Sequence, residues 1–433
     1  MSNRNFAAAN NNNNTKKFPT ETVLLLVAGG SLGAYECGVF KSLAKHNVWF
    51  DIVAGTSIGS VNATIIVDSF RRSNLQSNGK KKKRDTNNNN DDNESLRHKM
   101  LLEAAKRLEN FWLESADNIT PKFLPFKVRS YISAANTFTL GHPYALVPIW
   151  FYPGGLLLNN GFTSPYLYDT IRFKQILNKT VNFENLRASE KGNNNNNNIE
   201  NNNNNYSSSS PRLILASTDI QKAEPATFDT NSMDITAEHV SACIAYPFYG
   251  LKWANIDGKY LWDGSLLSSS PLKPVMKLSP FREKRVISID TFPRHQEKIP
   301  NNFAESWHRA RDIAFLDKSQ AEVDVSDDLK PIFPLLEEMH DIILDVSKVL
   351  HDKKLIDRIE QLGKKYDYDY IVKRRGRIIK DLIQVRRNED EKSHHSLFED
   401  WDFSLQTIQE LIKQGEKDAE STLQKKDIAS KRR

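Results

Sequence analysis

Two cysteines, Cys37 and Cys243, are all that the 433 residues contain. A disulfide framework is thereby excluded, and the chain is expected to be reduced and intracellular, with a cytoplasmic location. No continuous apolar run reaches eighteen residues, so no transmembrane helix is expected and any membrane role would be peripheral. The first residues carry Asn10–Asn14 in place of a signal-peptide apolar run. Neither sign of charge dominates: 60 Lys and Arg stand against 54 Asp and Glu, a net charge of +6. That balance is too mild to argue for a nucleic-acid partner, and it suits an anionic membrane surface at least as well. Metal-ligand spacings such as H-E-x-x-H or C-x-x-C are missing, so neither metal nor cofactor is implied. Core-forming residues are not lacking. With 39% hydrophobic and 10% aromatic residues, a wholly disordered chain is excluded, and the length suggests two or three units of about 150 residues.

Low-complexity tracts interrupt the chain. Asparagine runs occupy 10–14, 87–90, 193–198 and 201–205, flanked by Lys80–Lys83 with Arg84 and by Ser207–Ser210. Such tracts bury no apolar surface. They predict a disordered N-terminus over 1–21 and expanded loops at about 71–96 and 189–210. The basic run reads first as a charged loop, with a nuclear signal or anion patch as the alternative.

Between the tracts, strand-like and helix-like segments alternate. Val23–Val27 and Phe50–Ala54 are compact apolar runs; Ala34–His46 and Ser57–Phe70 carry apolar residues at helical spacing. Leu96–Glu114 is a strong helix pattern, Arg212–Ala216 and Arg285–Asp290 are strand-like, and Glu238–Ala245 is helical. This order predicts an α/β fold with a largely parallel central sheet over 22–290. Beyond, at 291–433, the pattern is mostly helical, with helices expected at 303–316, 334–350, 353–363 and 404–415 and one strand at Tyr368–Val372. That region is expected to be separate or to pack onto the same sheet.

Ser130–Tyr168 contains no Asp, Glu, Lys or Arg, yet holds many large apolar residues, broken by Pro143, Pro148, Pro153 and Gly154–Gly155. It reads as a buried irregular connection, or as a lid or lipid-facing surface beside a groove.

Gly55-Thr56-Ser57-Ile58-Gly59 is a G-x-S-x-G; the chain's own Gly and Ser frequencies give roughly 0.06 chance occurrences. A strand precedes it and a helix follows, as a nucleophile elbow requires. Gly55 and Gly59 let strand and helix approach, and the turn exposes the Ser57 hydroxyl beside a helix N-terminus. The plainer reading is a glycine-rich turn with a capping serine. A serine nucleophile needs an oxyanion hole. Ala28-Gly29-Gly30-Ser31-Leu32-Gly33, after the first strand, is the candidate. Dinucleotide binding is disfavoured, because the first glycine of G-x-G-x-x-G is replaced by Ala28 and no acidic residue closes the second strand. A P-loop is disfavoured too, since no G-K-[ST] follows a glycine run.

The serine also needs a base. None of the ten histidines has a convincing setting: His142 lies in the uncharged stretch, His239 in a helix, and His394–His395 in a polar segment. Asp263, in Trp262-Asp263-Gly264-Ser265, is more suggestive, although D-G is commonly a plain turn.

The set A-G-G-S-L-G-A-Y at 28–35, G-T-S-I-G at 55–59 and W-D-G-S at 262–265 resembles the patatin-like phospholipase family. The resemblance implies a three-layer α/β fold and a serine lipid acyl hydrolase with a Ser–Asp dyad, no catalytic histidine and no cofactor. Ser57 matches the nucleophile and Asp263 the dyad acid. Gly29, Gly30 and the N–H near Ser31 match the oxyanion loop. A lipid acyl ester is the implied substrate, with a peripheral membrane or lipid surface as partner. Alternatives are a catalytically silent lipid-binding or scaffolding protein and an acyltransferase. Trp307–Ile313, Trp401–Ser404, Gly415 and Asp418-Ala419 resemble the C-terminal extension of a bacterial-type subset. Three positions depart from the family pattern. Ala28 and Ser265 replace glycines, and Leu32 replaces an arginine common in plant-type members; Ala28 adds a methyl group near the oxyanion loop.

Overall fold

The computed structural model describes residues 20–81, 90–117, 125–142, 145–152, 164–188, 210–296, 299–316, 319–351, 353–387 and 399–431. Its first half alternates as the sequence predicts: β1 (Thr20–Leu26), α1 (Gly33–Lys45), β2 (Ile52–Thr56), α2 (Ile58–Lys81), α3 (Asn90–Glu114) and α4 (Phe126–Leu140). Two short paired strands follow, β3 (Val147–Pro148) and β4 (Tyr168–Asp169), then α5 (Ile171–Thr180), β5 (Arg212–Asp219), β6 (Glu224–Asp229) and α6 (Ala237–Cys243). Next come β7 (Ala254–Ile256), β8 (Lys259–Asp263), α7 (Leu272–Leu278) and β9 (Glu283–Asp290). The C-terminal region holds α8 (Phe303–Phe315), α9 (Gln320–Val349), α10 (Lys353–Tyr366), α11 (Tyr368–Lys373), β10 (Ile379–Arg386) and α12 (Leu405–Lys431).

The main sheet runs β10-β9-β1-β2-β5-β8-β7, with β6 also paired to β5. Pairings from β10 through β5 are parallel, while β6, β8 and β7 add antiparallel edges. A strand covered on both faces must be apolar on both, and β1 shows why its run is continuous. Leu24 and Leu26 point into the larger core, shared with α1, α2, α3 and α12. Val23 and Leu25 point into a smaller one, against Leu272, Val275 and Met276 of α7. The result is the expected three-layer α/β architecture. α12 crosses α1 closely: a side chain on Gly415 would run into the Tyr35 backbone, and the Tyr35 hydroxyl donates to Asp418 at 3.1 Å. Both cysteines are buried free thiols. Among the described residues, no helix is long and apolar enough to cross a membrane.

Several elements differ from expectation. Tyr368–Val372 is helical, not a strand: its short apolar run does not by itself separate the two states. The neighbouring edge of β9 is taken by β10, which the sequence reading did not foresee. α2 and α3 extend into the polar tract, so only 82–89 of the loop expected at 71–96 lies outside the described residues. The segments expected as a disordered terminus and as the 189–210 loop likewise lie almost wholly outside them. α9 starts well before 334 and α12 continues to 431. The uncharged stretch opens as helix α4 and leaves Phe138, Leu140 and Phe151 exposed; Gly154–Gly155 and Leu156–Leu158 lie outside the described residues.

Candidate active site

The turn between β2 and α2 puts Ser57 at φ 55°, a left-handed backbone that non-glycine residues rarely adopt. Its neighbours explain how that strain is held. A Cβ on Gly59 would stand 2.7 Å from the Val27 nitrogen and closer still to Leu26, and one on Gly55 would collide with the Gly59 backbone. The Gly59 amide donates to the Val27 carbonyl at 3.2 Å, and the Ser60 amide to that of Ser57 at 2.9 Å. The elbow is thus stitched to the end of β1, which continues into the glycine loop.

Asp263 reaches the same place through register. Thr56 of β2 pairs with Ala216 of β5, and Asp263 of β8 pairs with the next residue, Ser217. One strand therefore separates the serine from the aspartate, about 10 Å between backbones at the usual strand spacing. Gly264 allows the approach, because a Cβ there would stand 2.6 Å from the Ala216 carbonyl oxygen. The Asp263 carboxyl is fully buried. Its Oδ1 accepts the Ser265 amide at 2.8 Å, and Oδ2 has no hydrogen-bond partner among the described residues. Burial pushes its pKa up to about 6, against the opposing pull of the Ser57 hydroxyl and of the Ser265 amide and hydroxyl. The Ser57 hydroxyl is thus near enough to act on the carboxyl without a fully formed hydrogen bond. The sequence reading treated Ser265 only as a departure from glycine, yet it is one of the groups that favour the ionised form of Asp263.

Gly29 and Gly30 line one cavity with Ser57. Gly30 has φ 56°, and the amides of both glycines donate to no acceptor among the described residues. Ser31 faces away: its side chain is buried and its hydroxyl donates to the Glu399 carbonyl at 2.5 Å. Ala28 and Leu32 are buried in the core and do not line the cavity. The Ala28 carbonyl accepts the Thr291 hydroxyl at 2.9 Å. Behind the loop, buried Glu36 accepts the Val27 amide at 2.5 Å and the Asn62 side-chain amide at 2.8 Å. Desolvation nevertheless pushes the Glu36 pKa up to about 8.

The cavity, about 130 Å³, is walled mainly by apolar and aromatic side chains, among them Ile58, Phe111, Trp112, Phe173, Phe292 and Phe315. Sequence reasoning missed several of its residues. Asp400, Trp401 and Phe403 come from the far C-terminal segment; their proximity is set by a chain return that no local pattern encodes. Asp400 is ion-paired to Arg311 and accepts the Tyr249 hydroxyl, and Glu399 is held by both ends of the Arg387 guanidinium at 2.9 Å. His142, set aside in the sequence, also lines the cavity, 4.6 Å from the Phe403 ring. Burial lowers its pKa to about 4, so it is neutral at physiological pH. His239 instead closes a helix cap with Thr236.

A model of the patatin-like phospholipase family matches residues 24–276. A 45-residue stretch is 47% identical to triacylglycerol lipase SDP1L of Arabidopsis thaliana, spanning 10% of this chain and 6% of that protein. Among solved structures, VipD from Legionella pneumophila aligns over 94% of this chain and 67% of its own, at 12% identity and a TM-score of 0.34. The family match spans more than half of the sequence and contains the elbow, the glycine loop and the D-G turn: the chain belongs to the patatin-like phospholipase family.

Proposed function

We propose that this protein is a serine lipid acyl hydrolase that works through a Ser57–Asp263 dyad. The observation that carries the reading is the buried carboxyl of Asp263 beside the strained Ser57 turn, its basicity raised by desolvation. Family membership and the short likeness to a triacylglycerol lipase support lipid hydrolysis in general terms.

The chemistry follows from the groups present. Asp263 takes the proton of the Ser57 hydroxyl while the oxygen attacks the ester carbonyl. A carboxylate of ordinary pKa is a weak base for that step; one near 6 is better matched, and it stays mostly ionised at neutral pH. The carbonyl oxygen becomes an oxyanion, received by the amides of Gly29 and Gly30, with that of Ser31 adjoining. Asp263 then returns the proton to the leaving alcohol. A water deprotonated by the same carboxylate attacks the acyl-enzyme and releases the fatty acid. The aromatic and aliphatic walls take the acyl chain.

Replacing Ser57 with Ala tests the reading. Hydrolysis of a short-chain nitrophenyl ester is expected to fall to background while circular dichroism stays unchanged. Retained hydrolysis in that variant refutes the proposal.

A further inference from the structure

The outer face of α9 carries a feature unrelated to the site. Val325, Ile332, Met339 and Val346 recur at intervals of seven and are all exposed. Leu335, Ile342 and Val349 form a second exposed column with the same interval, widened by Leu336, Ile343 and Leu350. These ten side chains are 39–78% exposed. One apolar column running from 325 to 346, joined from 335 to 349 by a second at the same seven-residue interval, is the signature of a helix that packs along another helix.

The buried side of α9 is accounted for. Its first half is anchored to the body: the Ser326 hydroxyl accepts the Ile379 amide at 2.7 Å, and Phe333 is buried beneath the Arg375 guanidinium. Pro331 and Pro334 mark the end of that anchored part. Beyond them Arg375 still pairs with Glu337, His340 stacks on Tyr368, and Ser347 is buried; the repeat lies on the other side. α10 follows with a strongly amphipathic pattern and no fully buried residue.

Charge decides between partners. α9 holds eight acidic and two basic residues, and Glu338 and Asp345, seven apart, flank the apolar columns in its second half. An anionic lipid surface would be repelled by that rim. α10 has the opposite balance, with five basic residues (Lys353, Lys354, Arg358, Lys364 and Lys365) against two acidic. Among the described residues, Asp345 pairs only with Lys348 of its own helix, and no ion pair joins α9 to α10. A surface that meets a copy of itself about a twofold axis must be self-complementary. Adjacent acidic and basic helices satisfy that condition, because the rotation lays α9 of one chain along α10 of the other.

We infer that the α9–α10 hairpin is a homodimerisation surface, pairing antiparallel with the same hairpin of a second copy into a four-helix bundle.

Light scattering coupled to size exclusion on the full chain is expected to give twice the 49.5 kDa chain mass. Ile342→Asp with Val346→Asp is expected to give monomer with unchanged circular dichroism and ester hydrolysis, since neither residue touches the site. Reversal at Glu338 and Asp345 to Lys, or at Lys364 and Lys365 to Glu, is expected to weaken the dimer at least tenfold. Combining the two reversals should restore it, which a merely sticky apolar face would not do. A wild-type monomer at 50 µM, or a dimer indifferent to these changes, overturns the proposal. So does a monomer that floats with phosphatidylcholine vesicles and loses them in the Ile342→Asp, Val346→Asp variant, which assigns the face to lipid instead.

Discussion

Gly30 packs against the carbonyl of Asp400: a Cβ at 30 would collide with that oxygen. The glycine loop is thereby fixed by a segment from the opposite end of the chain, through that contact and through the Ser31–Glu399 hydrogen bond. Gly30→Ala is therefore expected to displace the loop. Since loss of one oxyanion donor costs roughly 10²–10³ in kcat, a decrease of about 10²-fold in ester hydrolysis is predicted, with the chain still folded. Unchanged kcat in this variant contradicts the assignment of Gly30 to the oxyanion loop.

Asp400 is held by Arg311, both nearly buried, and Arg311 also pairs with Asp312 at 2.8 Å, so removing Asp400 takes away one of two carboxylates from that guanidinium. Asp400→Asn is expected to cost about 1.5–3 kcal/mol in urea unfolding, the range for a lost hydrogen bond to a charged group, since Asp312 still neutralises Arg311. It should also lower kcat more than it raises KM, because in the proposed mechanism the loop it steadies receives the oxyanion. Equal loss in both variants of a Gly30→Ala, Asp400→Asn pair, without additivity, would show that they act through one contact.

The pH profile follows from Asp263. Its carboxyl is pushed up to about 6, and as the proposed base it must be ionised to act. kcat/KM is expected to rise with pH as a single ionisation near 6 and to level off above it. Stability moves the other way. A carboxyl with a folded pKa above its unfolded value contributes stability that is complete below about 4 and lost as pH rises through about 6. Asp263→Asn should therefore gain stability relative to wild type between pH 4 and 7 while losing activity.

Glu36 anchors the chain just before the glycine loop. Glu36→Ala leaves the Val27 amide and the Asn62 side chain without their acceptor in a dry interior. At about 1–3 kcal/mol for each buried unsatisfied group, a loss of about 2–4 kcal/mol is predicted, read from chemical denaturation.

What was legible in the sequence was local. Val23–Leu26 announces a buried strand because both faces are covered, and Gly55 and Gly59 announce the elbow because a side chain at 55 would strike the start of α2 and one at 59 the end of β1. Asp263 was legible only through its company with Gly264 and a resemblance. Its meeting with Ser57 depends on the register of β5, which pairs β2 on one side and β8 on the other. The walls contributed by Asp400, Trp401 and Phe403 were not legible, because a contact across the whole chain leaves no periodic trace. Tyr368–Val372 was misread as a strand since a five-residue apolar run fits either state, and Asp367, left-handed at φ 50°, starts a helix there.

The account rests on Ser57 being a nucleophile that Asp263 activates. Labelling with a fluorophosphonate probe, mapped by peptide mass spectrometry, tests this most directly. Wild-type protein is predicted to carry the adduct on Ser57, and Asp263→Asn to be labelled at least a hundredfold more slowly. An adduct on another residue, or equal rates in the two proteins, would contradict it.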